Sequence, residues 1–263
     1  MPTIPLYQVD AFTSAVFSGN PAAVCPLEEW LPDETLRKIA QENNLSETAF
    51  FTRSDDGSYH LRWFTPTVEV KLCGHATLAT AYTLFELLGH KGDKITFTGL
   101  SGDLHITKNA QGYTMNFPVW EREKADVPDI ISRALGKAPR EFYFGYDAIA
   151  VYDDPQDIRA MKPDFKLLAE FSDIRGVLTT APGDKDYDFI SRAFFPQIGL
   201  EEDPVTGSAH CILTPYWAER LDKTRFKAHQ ASARGGDLFL ELKGDRVDIT
   251  GTAALYMKGE IYV

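Results

Sequence analysis

The sequence predicts an α+β fold of two pseudo-symmetric domains, each a curved, mostly antiparallel sheet wrapped around a central helix. Three observations lead there: a weak internal repeat, two helix-length segments with almost no charge, and strand-like runs on either side of each. The repeat is carried by anchors in matching order. Leu61-Arg-Trp-Phe-Thr-Pro66 resembles Ser191-Arg-Ala-Phe-Phe-Pro196 at an offset of 130, Gly74-His-Ala resembles Gly207-Ser-Ala at 133, and Ser101-Gly-Asp-Leu104 resembles Gly235-Gly-Asp-Leu238 at 134. Each match alone is within chance. Their order and slowly growing offset point to a duplicated unit with short insertions.

Each element has a local reason. Segment 74–88 contains one charged residue, Glu86, and stops at Gly89, a favourable left-handed C-terminal position; segment 208–220 is uncharged until Glu219. A helix apolar around its whole circumference must be enclosed on all sides. Strands are expected at Tyr7–Phe12, Ala49–Thr52, Tyr59–Phe64, Lys94–Thr98, Asp103–Lys108 and Tyr113–Phe117 in the first half. In the second they are expected at Ala148–Tyr152, Gly176–Thr180, Phe189–Phe194, Asp237–Leu242 and Arg246–Thr250. A surface helix opens at Pro32, where a first-turn proline is tolerated. Asp33 and Glu34 complement its dipole, Leu36, Ile39 and Ala40 form its apolar stripe, and Asn43-Asn44 ends it. The expected domains are 1–118 with a returning strand at 252–263, and 119–251.

Composition bounds the function. At 263 residues, with 44% apolar and 25% charged residues, the chain can bury a sizeable core, and its low Gly and Pro content excludes a low-complexity chain. The longest apolar stretches carry Thr and His and fall short of the roughly 20 residues that span a bilayer, and the N-terminus lacks a basic region followed by an apolar core. A net charge of −11 without a basic block argues against nucleic acid as a partner. Three cysteines without zinc-type spacing fit a reducing cytoplasm. No Rossmann, Walker, H-E-x-x-H or EF-hand motif is present, so the expected chemistry uses no cofactor, neither nucleotide nor metal.

Two enclosed helices that begin in glycine-led turns would each offer backbone N–H groups and the positive end of a dipole, able to hold a small molecule's carboxylate without arginine or metal. If the repeat is a pseudo-twofold, both ends can face one cleft; the alternative is that the glycines only permit close packing. Around these starts stand Cys73 and His75 at the first, and Asp203, Thr206, Ser208 and His210 at the second, with Glu47 at a strand entrance. A thiol nucleophile from Cys73 with His75 competes with the commoner buried structural cysteine, and Ser208 lacks a G-x-S-x-G elbow. His210, inside an apolar helix, reads as a hydrogen-bonded core histidine; His60, His90 and His105 read as structural or solvated. Glu47 alone would pass for a solvated glutamate. Carboxylates such as Glu47 and Asp203 beside two polarised helix ends, however, are what a proton shuttle between carbon atoms requires.

Five motifs carry a resemblance to a known family. They are Asp10-Ala-Phe-Thr13 with Phe17-Ser-Gly-Asn-Pro-Ala-Ala-Val24, Asn44-Leu-Ser-Glu-Thr-Ala-Phe50, Arg62-Trp-Phe-Thr-Pro66, Cys73-Gly-His-Ala-Thr-Leu78 and Glu202-Asp-Pro-Val-Thr-Gly-Ser-Ala-His210. With Gln230-Ala-Ser-Ala-Arg-Gly-Gly236 and Gly251-Thr-Ala, they resemble the phenazine-biosynthesis PhzF-like family over essentially the whole chain. The resemblance implies the diaminopimelate-epimerase-like fold, a homodimer, and cofactor-free isomerisation of trans-2,3-dihydro-3-hydroxyanthranilate or a related small carboxylate. It implies Glu47 as the proton relay with His75 and Asp203 as further catalytic groups, and Gly74, Gly207 and Ser208 as substrate-binding residues. The wider superfamily includes two-thiol racemases and epimerases. Cys73-Gly-His resembles their first site, whereas Pro204-Val-Thr-Gly207 has no thiol where the second would stand. The alternatives are therefore an amino-acid or hydroxy-acid racemase or epimerase using Cys73, and a carboxylate-binding module without turnover. The loops 13–18 and 140–147 are expected to border the pocket.

Overall fold

A computed structural model of the chain describes residues 3–172, 174–184 and 186–263. They fall into two compact units, Met1–Asn116 with Thr250–Val263, and Phe117–Ile249.

The first unit runs β1 (Thr3–Ala11), β2 (Asn20–Pro26), α1 (Asp33–Asn43), β3 (Glu47–Arg53), β4 (Tyr59–Phe64), β5 (Glu69–Val70), α2 (Gly74–Tyr82), β6 (Lys94–Thr98), β7 (Leu104–Asn109) and β8 (Gly112–Pro118). The second runs β9 (Arg122–Ala125), α3 (Asp129–Ala134), β10 (Glu141–Gly145), β11 (Ala148–Val151), α4 (Pro155–Ala160), α5 (Phe165–Ala169), β12 (Val177–Pro182), β13 (Phe189–Phe195) and β14 (Leu200–Asp203). It continues through α6 (His210–Leu221), β15 (Arg225–Gln230), β16 (Gly236–Lys243) and β17 (Arg246–Gly251), and the chain closes with β18 (Ala253–Tyr262).

The two units share one wiring. In the first, β1 is antiparallel to β2, β2 parallel to β3, β3 antiparallel to β4, and β4 both antiparallel to β5 and parallel to β6, which is antiparallel to β7. In the second, β10 through β16 repeat these relations strand for strand. The opening strand of each unit gains one more antiparallel neighbour: β18 lies along β1, from Thr3 opposite Tyr262 to Ala11 opposite Ala253, and β9 lies along β10. A strand with only one neighbour leaves a row of N–H and C=O groups unpaired. The chain's last segment covers that row on β1.

Side-chain chemistry at the repeat anchors is duplicated as well. On β4, Arg62 donates Nε and Nη2 to Glu69 Oε1 and Oε2 at 2.7 Å each, and its guanidinium lies 5.0 Å from the Phe64 ring centre. On β13, Arg192 donates to Glu202 in the same two-pronged way at 2.7 and 2.9 Å and lies 5.0 Å from Phe194. A planar donor fork matched to a carboxylate and stacked on an aromatic face is a geometry only arginine fills.

Each unit encloses one helix. Every residue of α2 from His75 to Ala81 is buried, and α2 packs against β1, β2, β3 and β18. Its threonines stay satisfied without leaving the helix, because Thr77, Thr80 and Thr83 donate their hydroxyls to the carbonyls four residues back. Contact there is close: a Cβ at Gly251 would stand 2.4 Å from Phe12 Cδ1 and 2.9 Å from Leu78 Cδ1. In the second unit, residues His210–Trp217 of α6 are all buried; Trp217 stacks on Phe189 at 5.5 Å and donates Nε1 to Thr180 Oγ1 at 2.9 Å. Other helices pack on the sheets from outside, with Leu36, Ile39 and Ala40 of α1 meeting Ile4, Leu6, Phe50 and Phe64, and Ile131, Ile158 and Leu168 of α3 to α5 meeting Phe142 and Phe194.

Several strands carry no sequence expectation, and β2 shows why. Its residues NPAAVCP are buried almost throughout, so the alternation of a half-buried strand is absent. Segment 74–88 is also not one uniform helix: α2 ends at Tyr82 and passes into a π-turn over Thr83–Leu87 before Gly89, whose φ is +71°. Among the described residues no helix is long and apolar enough to cross a membrane.

Candidate active site

Asn44, at φ 49°, ends α1 in the left-handed conformation, and its N–H reaches the Ala40 carbonyl at 3.1 Å. The chain then enters β3 at Glu47, which lies opposite Ala22 of β2, while Asn43 Nδ2 holds Thr48 Oγ1 at 3.1 Å. The sharp helix-to-strand turn thus fixes Glu47 as the first residue of a strand, half-buried.

Cys73 caps α2 from an extended conformation, φ −141°, and accepts the first helical bond, Thr77 N to Cys73 O, at 3.1 Å. Gly74, His75 and Ala76 follow as the first helical residues, whose N–H groups have no partner in the helix's own ladder. The His75 ring is buried, and burial pushes its pKa down to about 3, so it is neutral near pH 7. Its tautomer follows from its neighbours. The Asn20 Nδ2 amide lies 3.2 Å from Nδ1 and the Cys73 Sγ lies 3.5 Å from the same nitrogen. The amide can only donate and the thiol donates beside it, so Nδ1 accepts and the single proton rides on Nε2. Nε2 stands 3.3 Å from Glu47 Oε2. The structure therefore brings together Glu47, Cys73 and His75, and one donor atom from each lies within 4.8 Å of the others.

The second unit is built differently. The helical segment expected over 208–220 begins two residues later: residues 207–209 form a glycine-led turn in which His210 N meets Gly207 O and Cys211 N meets Ser208 O, both at 3.0 Å, and α6 starts at His210. Buried Asp203 accepts the Thr206 hydroxyl at 2.5 Å. Buried Gln230 spans the same loop, accepting from Thr206 N at 2.8 Å and donating to Asp203 O at 2.9 Å. His210 donates Nδ1–H to Thr206 O at 2.9 Å, and burial lowers its pKa to about 4. It is the hydrogen-bonded core histidine its position implied.

Ser208 has an arginine beside it, already paired with a buried carboxylate. Arg175 Nη2 stands 3.2 Å from Ser208 Oγ, and the same guanidinium grips the wholly buried Asp147 with Nε and Nη2 at 2.8 and 2.6 Å. Burial raises the Asp147 pKa and Arg175 opposes that rise. Phe195, Tyr146 and Trp120 surround the guanidinium at 4.9, 4.8 and 5.9 Å.

Sequence reasoning missed Asn20, Gln230, Asp147 and Arg175. Asn20 and Gln230 stand within recognisable motifs, Phe17-Ser-Gly-Asn-Pro and Gln230-Ala-Ser, whose polar residues mark them for attention. Arg175 and Asp147 have no such signal, since they are 28 residues apart and meet only through tertiary structure. Cys211, the other cysteine near a helix start, is 1% exposed, and burial pushes its thiol up to about 12. A thiol so held stays protonated and lacks the character of a base.

The chain is similar to known proteins over nearly its whole length. The family described as phenazine biosynthesis-like protein matches residues 9–259. An uncharacterized isomerase of Pseudomonas aeruginosa is 49% identical over 260 residues, 99% of each chain. The crystal structure of a phenazine biosynthesis PhzF-family protein from Enterococcus faecalis superposes with a TM-score of 0.97 at 47% identity, covering all of both chains. A hydroxyproline epimerase from Agrobacterium vitis shares the fold, with a TM-score of 0.63 at 11% identity over 98% of this chain and 92% of that one.

Proposed function

The chain belongs to the phenazine biosynthesis-like family, and from that premise we propose that it is an isomerase that moves a proton between carbons of a small, cyclic carboxylate, with Glu47 as general acid and base. The observation that carries the reading is the close approach of a neutral, buried His75 to the Glu47 carboxylate, with Nε2 3.3 Å from Oε2. Glu47 takes a proton from one carbon, becomes the carboxylic acid, and returns a proton to another carbon, so no net charge or atom is gained. His75 holds the carboxylate in place. Being neutral, it does so without the full positive charge that would depress the carboxylate's basicity. The N–H groups at Gly74 and the start of α2 supply donors and a positive dipole end for the charge that builds on the substrate. Asp203, Gly207 and Ser208 complete the assignment, Asp203 as a second catalytic group and the other two as carboxylate binders.

The test is proton exchange. Purified protein incubated in D2O with trans-2,3-dihydro-3-hydroxyanthranilate and a panel of cyclic carboxylates is expected to isomerise at least one of them with deuterium entering at carbon. Glu47→Gln keeps the side chain's shape and should lose roughly 10²–10⁴-fold in rate. Wild-type turnover by that variant would sink the mechanism. A second reading, a racemase with Cys73 as base, draws on the 3.5 Å approach of Cys73 Sγ to His75 Nδ1. Loss of substrate α-hydrogen exchange in Cys73→Ser would favour it, and full exchange in that variant would remove it.

A further inference from the structure

The same three side chains have a second chemistry. Thiolate, imidazole and carboxylate are the donor types that zinc takes, and in open zinc sites three protein ligands leave a fourth position to water. Zinc bonds thiolate sulfur at about 2.3 Å and imidazole nitrogen at about 2.0–2.1 Å, and a tetrahedral angle between two such bonds separates sulfur from nitrogen by about 3.5 Å. Cys73 Sγ and His75 Nδ1 are 3.5 Å apart. The tautomer is already the required one, since Nδ1 offers its lone pair toward the thiol and the proton is on the far nitrogen. Glu47, whose Oε2 lies 3.3 Å from Nε2 on the other side of the ring, supplies the third donor from within the same 4.8 Å cluster by rotating its side chain toward Nδ1.

We propose that Cys73, His75 and Glu47 form a binding site for zinc or a similar thiophilic divalent ion. The ligands come from two elements. Cys73 and His75 flank Gly74 at the start of α2, where the extended cap and the first helical turn bring sulfur and ring together, and Glu47 enters from β3. This explains why no metal motif is visible in sequence: two ligands are two residues apart and the third is 26 residues before Cys73. Binding replaces the thiol proton by the metal, so one proton leaves for each ion bound, and Nδ1 exchanges its bond from Asn20 for the metal. On the reading of Glu47 as the isomerase base, an ion here occupies that base and stops turnover. Metal binding itself is independent of that reading, and its test needs no substrate.

The experiment uses cobalt and zinc alone with the chelator-treated full chain. Cobalt is expected to bind in one equivalent with the near-ultraviolet charge-transfer absorption of a thiolate–cobalt bond, and zinc to displace it. Cys73→Ser should abolish that absorption and weaken zinc in calorimetry by at least about tenfold, a loss of about 1.4 kcal/mol. Glu47→Gln should keep the absorption and weaken zinc. Circular dichroism establishes that each variant is folded, and Cys73→Ala replaces Cys73→Ser if the latter is not. The site is refuted by a wild-type protein, its thiols shown reduced, that gives no charge-transfer absorption at millimolar cobalt. It is equally refuted by absorption that survives in the Cys73 variant, which would move the ligand to Cys25 or Cys211, or by equal zinc affinity in wild type and both variants.

Discussion

The starts of α2 and α6 occupy corresponding places in two units with the same strand wiring, yet their polar groups are spent in opposite ways. At α2, the imidazole of His75 accepts from Asn20 at Nδ1 and brings Nε2 to 3.3 Å from the Glu47 carboxylate. At α6, the imidazole of His210 turns into its own chain and donates to Thr206 O, and Asp203 is tied to Thr206 and through it to Gln230. Both rings are buried and both are neutral near pH 7. Burial sets the charge state; the choice of hydrogen-bond partner sets whether a ring meets a carboxylate or a backbone carbonyl. The duplication thus retained the frame, including the Arg62–Glu69 and Arg192–Glu202 forks, while the residues at each helix start diverged in what they can do.

The sharpest way to break this contrast is to remove each ring in turn. His75→Leu deletes the donor beside Glu47 and is expected to lower deuterium incorporation into a turned-over substrate by about 10²-fold or more. His210→Leu should leave incorporation within a few-fold while lowering stability in urea. Equal losses of rate in the two variants would erase the difference between the starts.

A second measurement concerns the Arg175–Asp147 ion pair of the second unit. Arg175→Met strands the buried Asp147 carboxylate and is expected to cost about 3–5 kcal/mol in urea unfolding, whereas Asp147→Asn with Arg175→Met together should recover part of that loss. If the double variant is no more stable than Arg175→Met alone, the loss does not come from a stranded Asp147 carboxylate.

Packing against α2 gives a smaller effect. Gly251→Ala drives a Cβ into Phe12 and Leu78 and should cost about 1–3 kcal/mol, read as a lower denaturation midpoint with an unchanged slope.

In the pH dependence the two starts should behave alike. His75 and His210 have folded pKa values lowered to about 3 and about 4 from 6.5. Below pH 6.5 the unfolded chain takes up protons that the folded chain refuses, so stability falls with acidification from about pH 6.5 toward pH 4. Each histidine contributes a slope of at most about 1.4 kcal/mol per pH unit. His75→Gln and His210→Gln should each flatten this acid limb. An acid limb unchanged in either variant would show that ring to be protonated in the folded state.

Much of this molecule was legible before any coordinates. The repeat anchors fixed the two-unit architecture, because Arg62, Phe64, Arg192 and Phe194 recur for a reason that survives divergence, a guanidinium held between a carboxylate and a ring. The absence of charge in 74–85 and 208–218 announced two enclosed helices, because a helix buried on every side leaves no surface for solvated residues. Glu47, Cys73, His75, Asp203 and Ser208 were named from motifs. What sequence could not decide was direction. Whether His75 Nε2 comes beside Glu47 or beside a carbonyl, whether α6 starts at Ser208 or His210, and that Arg175 stands beside Ser208 all depend on where separate strands place their side chains. Residue types and spacing determine which groups a segment carries and what it must bury, whereas hydrogen-bond partners are set by contacts between segments far apart in the chain, where no local period or motif can register them.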